Sequence, residues 1–387
     1  MRLIFANLSH EERQQLYAEL DLSEEEFHKM YIAGYEEDLM QDGWYRCSRL
    51  LLVYVPPILL VVGIVGNILS FVVLVRRSMR HVSTYNYLAA LSVADTLVLL
   101  IGLLRLWIGQ MSGFDLKDSS NVACKLINVV NYTVSDYSVW LLVAVTVERY
   151  IVTAHALQAN HMCTTSRARR VMLALLAAIF LINAHMFYTV EARQNKTIIC
   201  GSRKNFEVLI NGVLPWLDAA LYSIVPSIVM IALNVAIIRQ VLRSIRHRRQ
   251  MAAVSRSSTT LALRGNGATS SALGGVDSGW RITVMLLIIS FVFVATTLPM
   301  MITMIVFAMA PASKLEHMGV YRFARAVGEL MMYFNHSVNF YLYLLTGNKF
   351  RQQLAALFRR RRPTTYVDVD TQETEMNGLL LRLRSKR

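Results

Sequence analysis

Apolar positions along the chain gather into seven blocks, at approximately 50–75, 84–108, 122–149, 170–190, 215–239, 281–307 and 323–345. Each is long enough to cross a bilayer, which takes about 20 residues as a helix. A backbone inside lipid must satisfy its own hydrogen bonds, so the blocks predict helices. A closed barrel would show segments of about ten residues with alternating polarity, and the sequence has no such segments. The predicted architecture is an all-α membrane protein. An acidic outer segment over 1–49 precedes a seven-transmembrane helix bundle over 50–346. An amphipathic helix at 347–362 and a cytoplasmic tail at 363–387 follow.

The stretches between and beyond the blocks have their own patterns. Ser23-Glu24-Glu25-Glu26 reads as a capping box opening a short helix in the outer segment. The third inner loop, 243–279, starts with a basic run and turns Ser/Gly/Ala-rich, a composition that buries no core and reads as flexible. After the seventh block, Thr346-Gly347 ends the apolar run. Phe350, Leu354, Leu357 and Phe358 then recur at helical spacing among Lys349, Arg351 and Arg359–Arg362. That pattern suits a helix lying on the inner membrane surface.

Composition agrees with this picture: 55% of residues are hydrophobic and only 17% charged. The net charge of +14 invites a nucleic-acid reading, but its distribution is topological. With the N-terminus outside, 25 of the 40 Lys and Arg fall on inner segments, the positive-inside pattern. Eleven of the 26 acidic residues precede residue 43. The basic charge therefore points to topology and anionic lipid, not nucleic acid. No cleavable signal is evident, and the first helix is expected to direct insertion. The sequons at Asn7 and Asn195 fall on outer segments and are expected glycosylation sites.

Ionisable side chains inside a membrane cost about a few kcal/mol or more, so each asks for a reason. Here they are Asp95, Arg105, Asp136, His185, Asp218, Glu329 and His336. Asn67, Ser138, Asn335 and Asn339 lie at the depth of Asp95. This set suits either a small hard cation or a hydrogen-bonded water cluster, and spacing alone favours the water. Cys124 and Arg149 are 25 residues apart, roughly 38 Å as a helix, so they stand at opposite rims of the membrane. Cys47 and Cys200 are also outside; Cys200 is a candidate partner for Cys124, and Cys163 is inside, where thiols stay reduced. Pro226 and Pro299 fall mid-helix, as packing features or as hinges.

Taken in order, these residues resemble the rhodopsin-like G-protein-coupled receptors. The resemblance covers about 50 to 360. It rests on Gly66-Asn67, Leu91–Asp95, the Cys124/Cys200 pair, Glu148-Arg149-Tyr150, Pro226, Phe293 with Pro299, and Asn339-Phe-Tyr-Leu-Tyr343 followed by Phe350. Met162–Arg169 and Asn339–Arg351 resemble invertebrate neuropeptide receptors of the FMRFamide and myosuppressin kind. There are departures: Thr297 stands where the family has Trp before the helix-six proline, Phe340 where it has Pro, and Asn234 where it has Tyr. Asn131 replaces the aspartate by which amine receptors bind an ammonium, and Tyr333 the lysine that opsins need for a Schiff base.

The resemblance implies a plasma-membrane receptor, N-terminus outside and C-terminus inside, with an extracellular ligand, a heterotrimeric G protein, arrestin, receptor kinases and membrane lipid as partners. It implies a disulfide between Cys124 and Cys200. Glu148 would hold Arg149 at rest, with Tyr150 completing the coupling motif. Phe293, Thr297, Pro299, Asn339 and Tyr343 would form the activation motif. Asp95, Ser138, Asn335 and Asn339 match the family's sodium site, which shifts the reading there from water to an ion; no other cofactor is expected. The expected ligand pocket is lined by Arg105, Trp107, Asn131, Tyr132, Ser135, Trp216, Asp218, Glu329 and Tyr333. Two carboxylates, Asp218 and Glu329, would bind a basic group on a short amidated peptide. In the alternative, these acids pair with Arg105 or Arg325 and meet no ligand. The competing function is a receptor for a lipid or other non-peptide ligand, or a constitutively active receptor. No catalytic or phosphate-binding motif is present, so an enzyme is not expected.

Overall fold

The computed structural model describes residues 40–194, 198–258, 270–309 and 318–358. The capping box at 23–26, Asn7, Asn195, the basic run 359–362 and the tail 363–387 lie outside the described residues. The chain is built of α1 (Gly43–Leu74), α2 (Ser83–Ser112) and α3 (Asn121–Ala154). Then come α4 (Thr165–Asn183) and a hairpin of β1 (Val190–Gln194) and β2 (Ile198–Ser202). α5 joins Leu214–Ala219, a π-helical turn Ala220–Ile224, and Val225–Ser258. α6 (Ser270–Met309), α7 (Met318–Thr346) and α8 (Asn348–Phe358) complete it.

Among the described residues, six helices (α1 to α6) are long and apolar enough to cross a membrane. α7 is more polar along its length, and its Asn335, His336, Ser337 and Asn339 are buried in the bundle. Large apolar side chains face outward instead: Tyr54, Val61, Ile228 and Phe291 are all more than 60% exposed. This arrangement of apolar outside and polar inside is stable in lipid and would not be in water.

Two boundaries differ from the sequence reading. α1 starts at Gly43, not near 50, because the Asp42 carboxylate accepts from the Tyr45 N–H at 3.0 Å and caps the first turn. α5 continues to Ser258 and α6 begins at Ser270, so much of the loop read as flexible is helical. A helix leaving the membrane needs no apolar face, and the Arg, Gln, Ala and Met of its first part are good helix formers.

Two prolines inside the bundle, Pro57 and Pro226, are matched by side-chain donors. Pro57 has no N–H for the Val53 carbonyl, and the Trp107 indole of α2 donates to that oxygen at 2.9 Å. In the π turn of α5, Val225 N–H bonds Ala220 O. Leu221 O would then need the N–H that Pro226 lacks, and the Trp140 indole of α3 supplies it at 3.1 Å. Each tryptophan thus fixes one helix against another.

Small residues bring α1 and α7 together, as van der Waals packing requires where lipid removes the hydrophobic drive. A Cβ on Gly66 would lie 2.9 Å from the Phe340 Cβ. Gly66→Val is expected to lower the melting temperature of the purified receptor by roughly 2–8 °C, since overpacking costs about 1–3 kcal/mol. An unchanged melting curve would mean the two helices separate freely.

Candidate functional site

At one end of the bundle the hairpin is tied to α3. Cys124 and Cys200 form a disulfide with Cα atoms 5.5 Å apart. The Cys200 N–H donates to Asp118 Oδ1 at 2.8 Å, and the Ala192 N–H to Asn121 Oδ1 at 3.2 Å. Ala192 and Cys200 face each other across the two strands. The hairpin is therefore held by a covalent bond and two side-chain acceptors. Cys47 and Cys163 are free.

Beneath the hairpin lies a cavity of about 390 Å³ between α3, α4 and α5, within the size range of small-ligand sites. Tyr132 and Asp136 of α3, Asn183 of α4 and Asp218 of α5 line it, with Cys200–Ser202 of β2 at its hairpin side. Tyr132 and Asp136 are four residues apart and so share a helix face. Asp136 is only 1% exposed, and its Oδ2 accepts from the Asn183 amide at 2.9 Å. Two carboxylates thus face one cavity. Lys117 and His185 also line it, and Lys117 stands 3.7 Å from Asp115. Asp218 also borders a second space of about 80 Å³ lined by Tyr222, Thr297, Met300, Met301, Met304 and Met332.

Of the nine residues expected to bind ligand, the cavity gathers Tyr132 and Asp218. Arg105 is paired with Asp115 at 2.5 Å, and Glu329 with Arg325 at 3.1 Å. Trp107 is turned to α1 by its bond to Val53. Tyr333 is buried with Leu60, Leu99 and Val134, against Gly102, and Asn131 Oδ1 lies beside that glycine as well. Ser135 is half-buried, and Trp216 is 44% exposed on the apolar exterior. Asp136 takes the place that Glu329 was expected to hold. Its signal was in the sequence: an intramembrane acid one turn beyond Tyr132.

Deeper in the bundle, Asp95 is fully buried and surrounded by donors. Oδ1 accepts from the Ser138 hydroxyl at 2.6 Å, and His336 Nδ1 lies 2.8 Å from the same oxygen. Oδ2 accepts from the Asn339 amide at 2.8 Å. A carboxylate only accepts, so Nδ1 carries the hydrogen. His336 Nε2 meets the Tyr222 hydroxyl at 3.0 Å. Asn335 is buried nearby in α7, and its Oδ1 has no partner. Three N–H and O–H donors converge on this carboxylate where a hard cation needs oxygen lone pairs. So arranged, the imidazole N–H stands on Asp95 Oδ1 where a cation would sit, while Asn339 Oδ1, like Asn335 Oδ1, has no partner.

At the opposite end from the hairpin, Glu148 and Arg149 are buried. They are joined through α2: the Arg149 guanidinium donates to the Thr84 hydroxyl, which donates to Glu148 Oε2 at 2.6 Å. Arg149 was expected to be held by Glu148 itself; the bridge through Thr84 was not foreseen. Tyr150 lies edge-on to His155 with ring centroids 6.2 Å apart. Cys163 sits in the same region, its thiol pushed above the ordinary value by burial and by the Glu148 carboxylate.

A family model for the rhodopsin family of seven-transmembrane receptors matches residues 66–343. The chain belongs to this family. The FMRFamide receptor of Drosophila melanogaster is 25% identical over 323 residues, 78% of this chain and 52% of that one. An FMRFamide peptide receptor of Caenorhabditis elegans is 31% identical over 138 residues, 34% of this chain and 31% of its own. The growth hormone secretagogue receptor type 1 of Oryctolagus cuniculus is 26% identical over 329 residues, covering 80% and 82%. The chain spans about half the length of the Drosophila FMRFamide receptor and about a third of the Caenorhabditis one.

In this rhodopsin-family receptor the departures from the family pattern have local consequences. Phe293 is fully buried, and the Thr297 hydroxyl donates to its carbonyl at 2.9 Å. Thr297 thereby satisfies itself on α6 and leaves the Met-lined space open above Tyr222. α6 stays continuous through Pro299, and Thr303 donates to the Pro299 carbonyl at 2.8 Å. With Phe340 in place of proline, α7 is an uninterrupted helix to Thr346. Phe340 and Tyr343 both pack on Phe350 of α8, at 5.9 and 5.6 Å between centroids.

Proposed function

We propose that this receptor is activated by a short peptide carrying a cationic group, and that it passes the signal to a heterotrimeric G protein. The observation that carries the reading is the cavity under the hairpin, where Asp136 and Asp218 face the same space. A guanidinium or ammonium entering it would meet two carboxylates in a water-poor setting, where charge-assisted bonds are strong. Tyr132 and the Met-lined annex suit an aromatic neighbour in the peptide, since thioethers are pliable partners for rings. Relatives named for FMRFamide, a peptide ligand, support the same class.

In this reading the hairpin end is extracellular, α7 is the seventh span, α8 lies on the inner membrane surface, and the receptor resides in the plasma membrane. The Thr84 bridge represents the resting state. Agonist favours a second conformation in which Arg149 leaves Thr84 and contacts the G protein, followed by receptor kinases and arrestin. A lipid ligand would call for free basic groups in the pocket; Lys117 of the lining stands 3.7 Å from Asp115, and Arg105, outside the lining, is paired with the same carboxylate.

The test is expression in cells with a promiscuous G protein and a screen of amidated neuropeptides by calcium release, with Arg149→Ala as control. A response to one class of basic peptide, lost in the control, is the expected result. Silence across the library with surface expression confirmed would overturn the peptide reading.

A further inference from the structure

The buried Asp95 cluster has features that peptide binding does not use. Its carboxylate belongs to α2, yet its partners come from α3 (Ser138) and α7 (His336 and Asn339). The imidazole continues the chain to Tyr222 of α5. Asp95 and His336 are both 0% exposed. An isolated buried carboxylate is very costly, so something must compensate it. A small cation from solvent is one way to do so; a donor supplied by the chain is another. Here the ring of His336 stands against Asp95 Oδ1, sharing that oxygen with the Ser138 hydroxyl.

The π turn of α5 contributes to this arrangement. Tyr222 lies within Ala220–Ile224, and its hydroxyl reaches the far nitrogen of the ring. Both imidazole nitrogens are thereby engaged and the ring plane is fixed. On α1, the Asn67 amide donates to the His336 carbonyl at 3.0 Å, holding the backbone beneath the ring. His336 is fixed from three directions, by Asp95, Tyr222 and Asn67.

We propose that His336 is the built-in partner of Asp95, and that its imidazole excludes the monovalent cation this polar core would otherwise bind. The side chains of Ser138, Asn335 and Asn339 supply the oxygen atoms of a cation site, and the histidine ring closes it. Removing the ring while keeping a small hydroxyl, as in His336→Ser, opens the space and adds an oxygen ligand. That single change converts a sodium-indifferent core into a sodium-binding one.

The experiment needs neither agonist nor G protein, so its failure is separate from failure of the peptide reading. Melting temperature of the purified full-length receptor is measured as NaCl replaces choline chloride at constant ionic strength, from zero to about 150 mM. The wild type is expected not to respond to the exchange. His336→Ser is expected to gain a saturable rise of roughly 3 °C, as for any ligand that binds only the folded state. Tyr222→Phe, which leaves the pair with Asp95 in place, should behave as the wild type. A saturable, sodium-specific rise in the wild type would overturn the proposal, and this arm stands even where His336→Ser fails to fold. A folded His336→Ser that ignores sodium would overturn it equally.

Discussion

Replacing Asp218 by Asn is expected to raise the half-maximal concentration of the basic peptide proposed to activate the receptor on the order of 100-fold. Removing one partner of a desolvated charge pair costs about 2–5 kcal/mol, and each 1.4 kcal/mol is tenfold in affinity. Asn keeps the shape of the side chain, so surface expression should hold while potency falls. Asp136→Asn should act in the same direction, because its amide oxygen can still accept from Asn183 and the bond between α3 and α4 survives. Glu329→Gln is the informative contrast. Its carboxylate is held by Arg325 one turn away and lies outside the cavity lining, so potency should shift by less than about threefold, the scale of a partly exposed helical pair. Dose–response curves for the three variants check all this together. Equal losses at Asp218 and Glu329 would place the peptide's cation between α5 and α7 instead.

Thr84→Val is expected to raise agonist-independent signalling by roughly tenfold. The valine has the shape of threonine but neither accepts from Arg149 nor donates to Glu148. Hydrogen bonds to charged groups are worth about 1.5–3 kcal/mol each. Both bonds belong to the state described here, so their loss destabilises that state selectively and shifts the population toward the alternative. Basal nucleotide exchange on G protein in receptor-containing membranes is the measurement, with Thr84→Ser as the variant that should restore wild-type behaviour. If Thr84→Val leaves basal exchange unchanged, the bridge is not what holds Arg149 back.

Much of this architecture was legible from polarity alone. The apolar blocks place α1 to α6, because lipid demands long uninterrupted helices and the sequence must comply. Cys124 was placed at a rim by its distance from Arg149, and the disulfide to Cys200 is present. The convergence of Ser138 and Asn339 on Asp95 was also readable, since membrane depth follows from residue count. What could not be read was rotation about each helix axis. Trp216 and Asp218 are two residues apart, yet one faces the apolar exterior and the other the cavity. Such positions in an α-helix are about 200° apart around the axis, so only one of them can face inward. Which one does depends on the phase set by the π turn at Ala220–Ile224, which no residue there announces. His336 was visible as an intramembrane histidine, but its bond to Asp95 depends on a side-chain rotation that spacing does not specify. The Arg325–Glu329 pair was the opposite case, a helical i,i+4 spacing plain in the sequence.

The π turn also makes α5 a helix of two independently phased halves. One extra residue in a helix advances everything beyond it by about 100°. Deleting a single residue from Ala220–Ile224 would therefore swing Asp218 out of the cavity and bring a different side chain to face the ligand. The membrane-crossing length would shorten by only about 1.5 Å. Ligand preference in such a helix can change by indel rather than by substitution, with the G-protein end left in register.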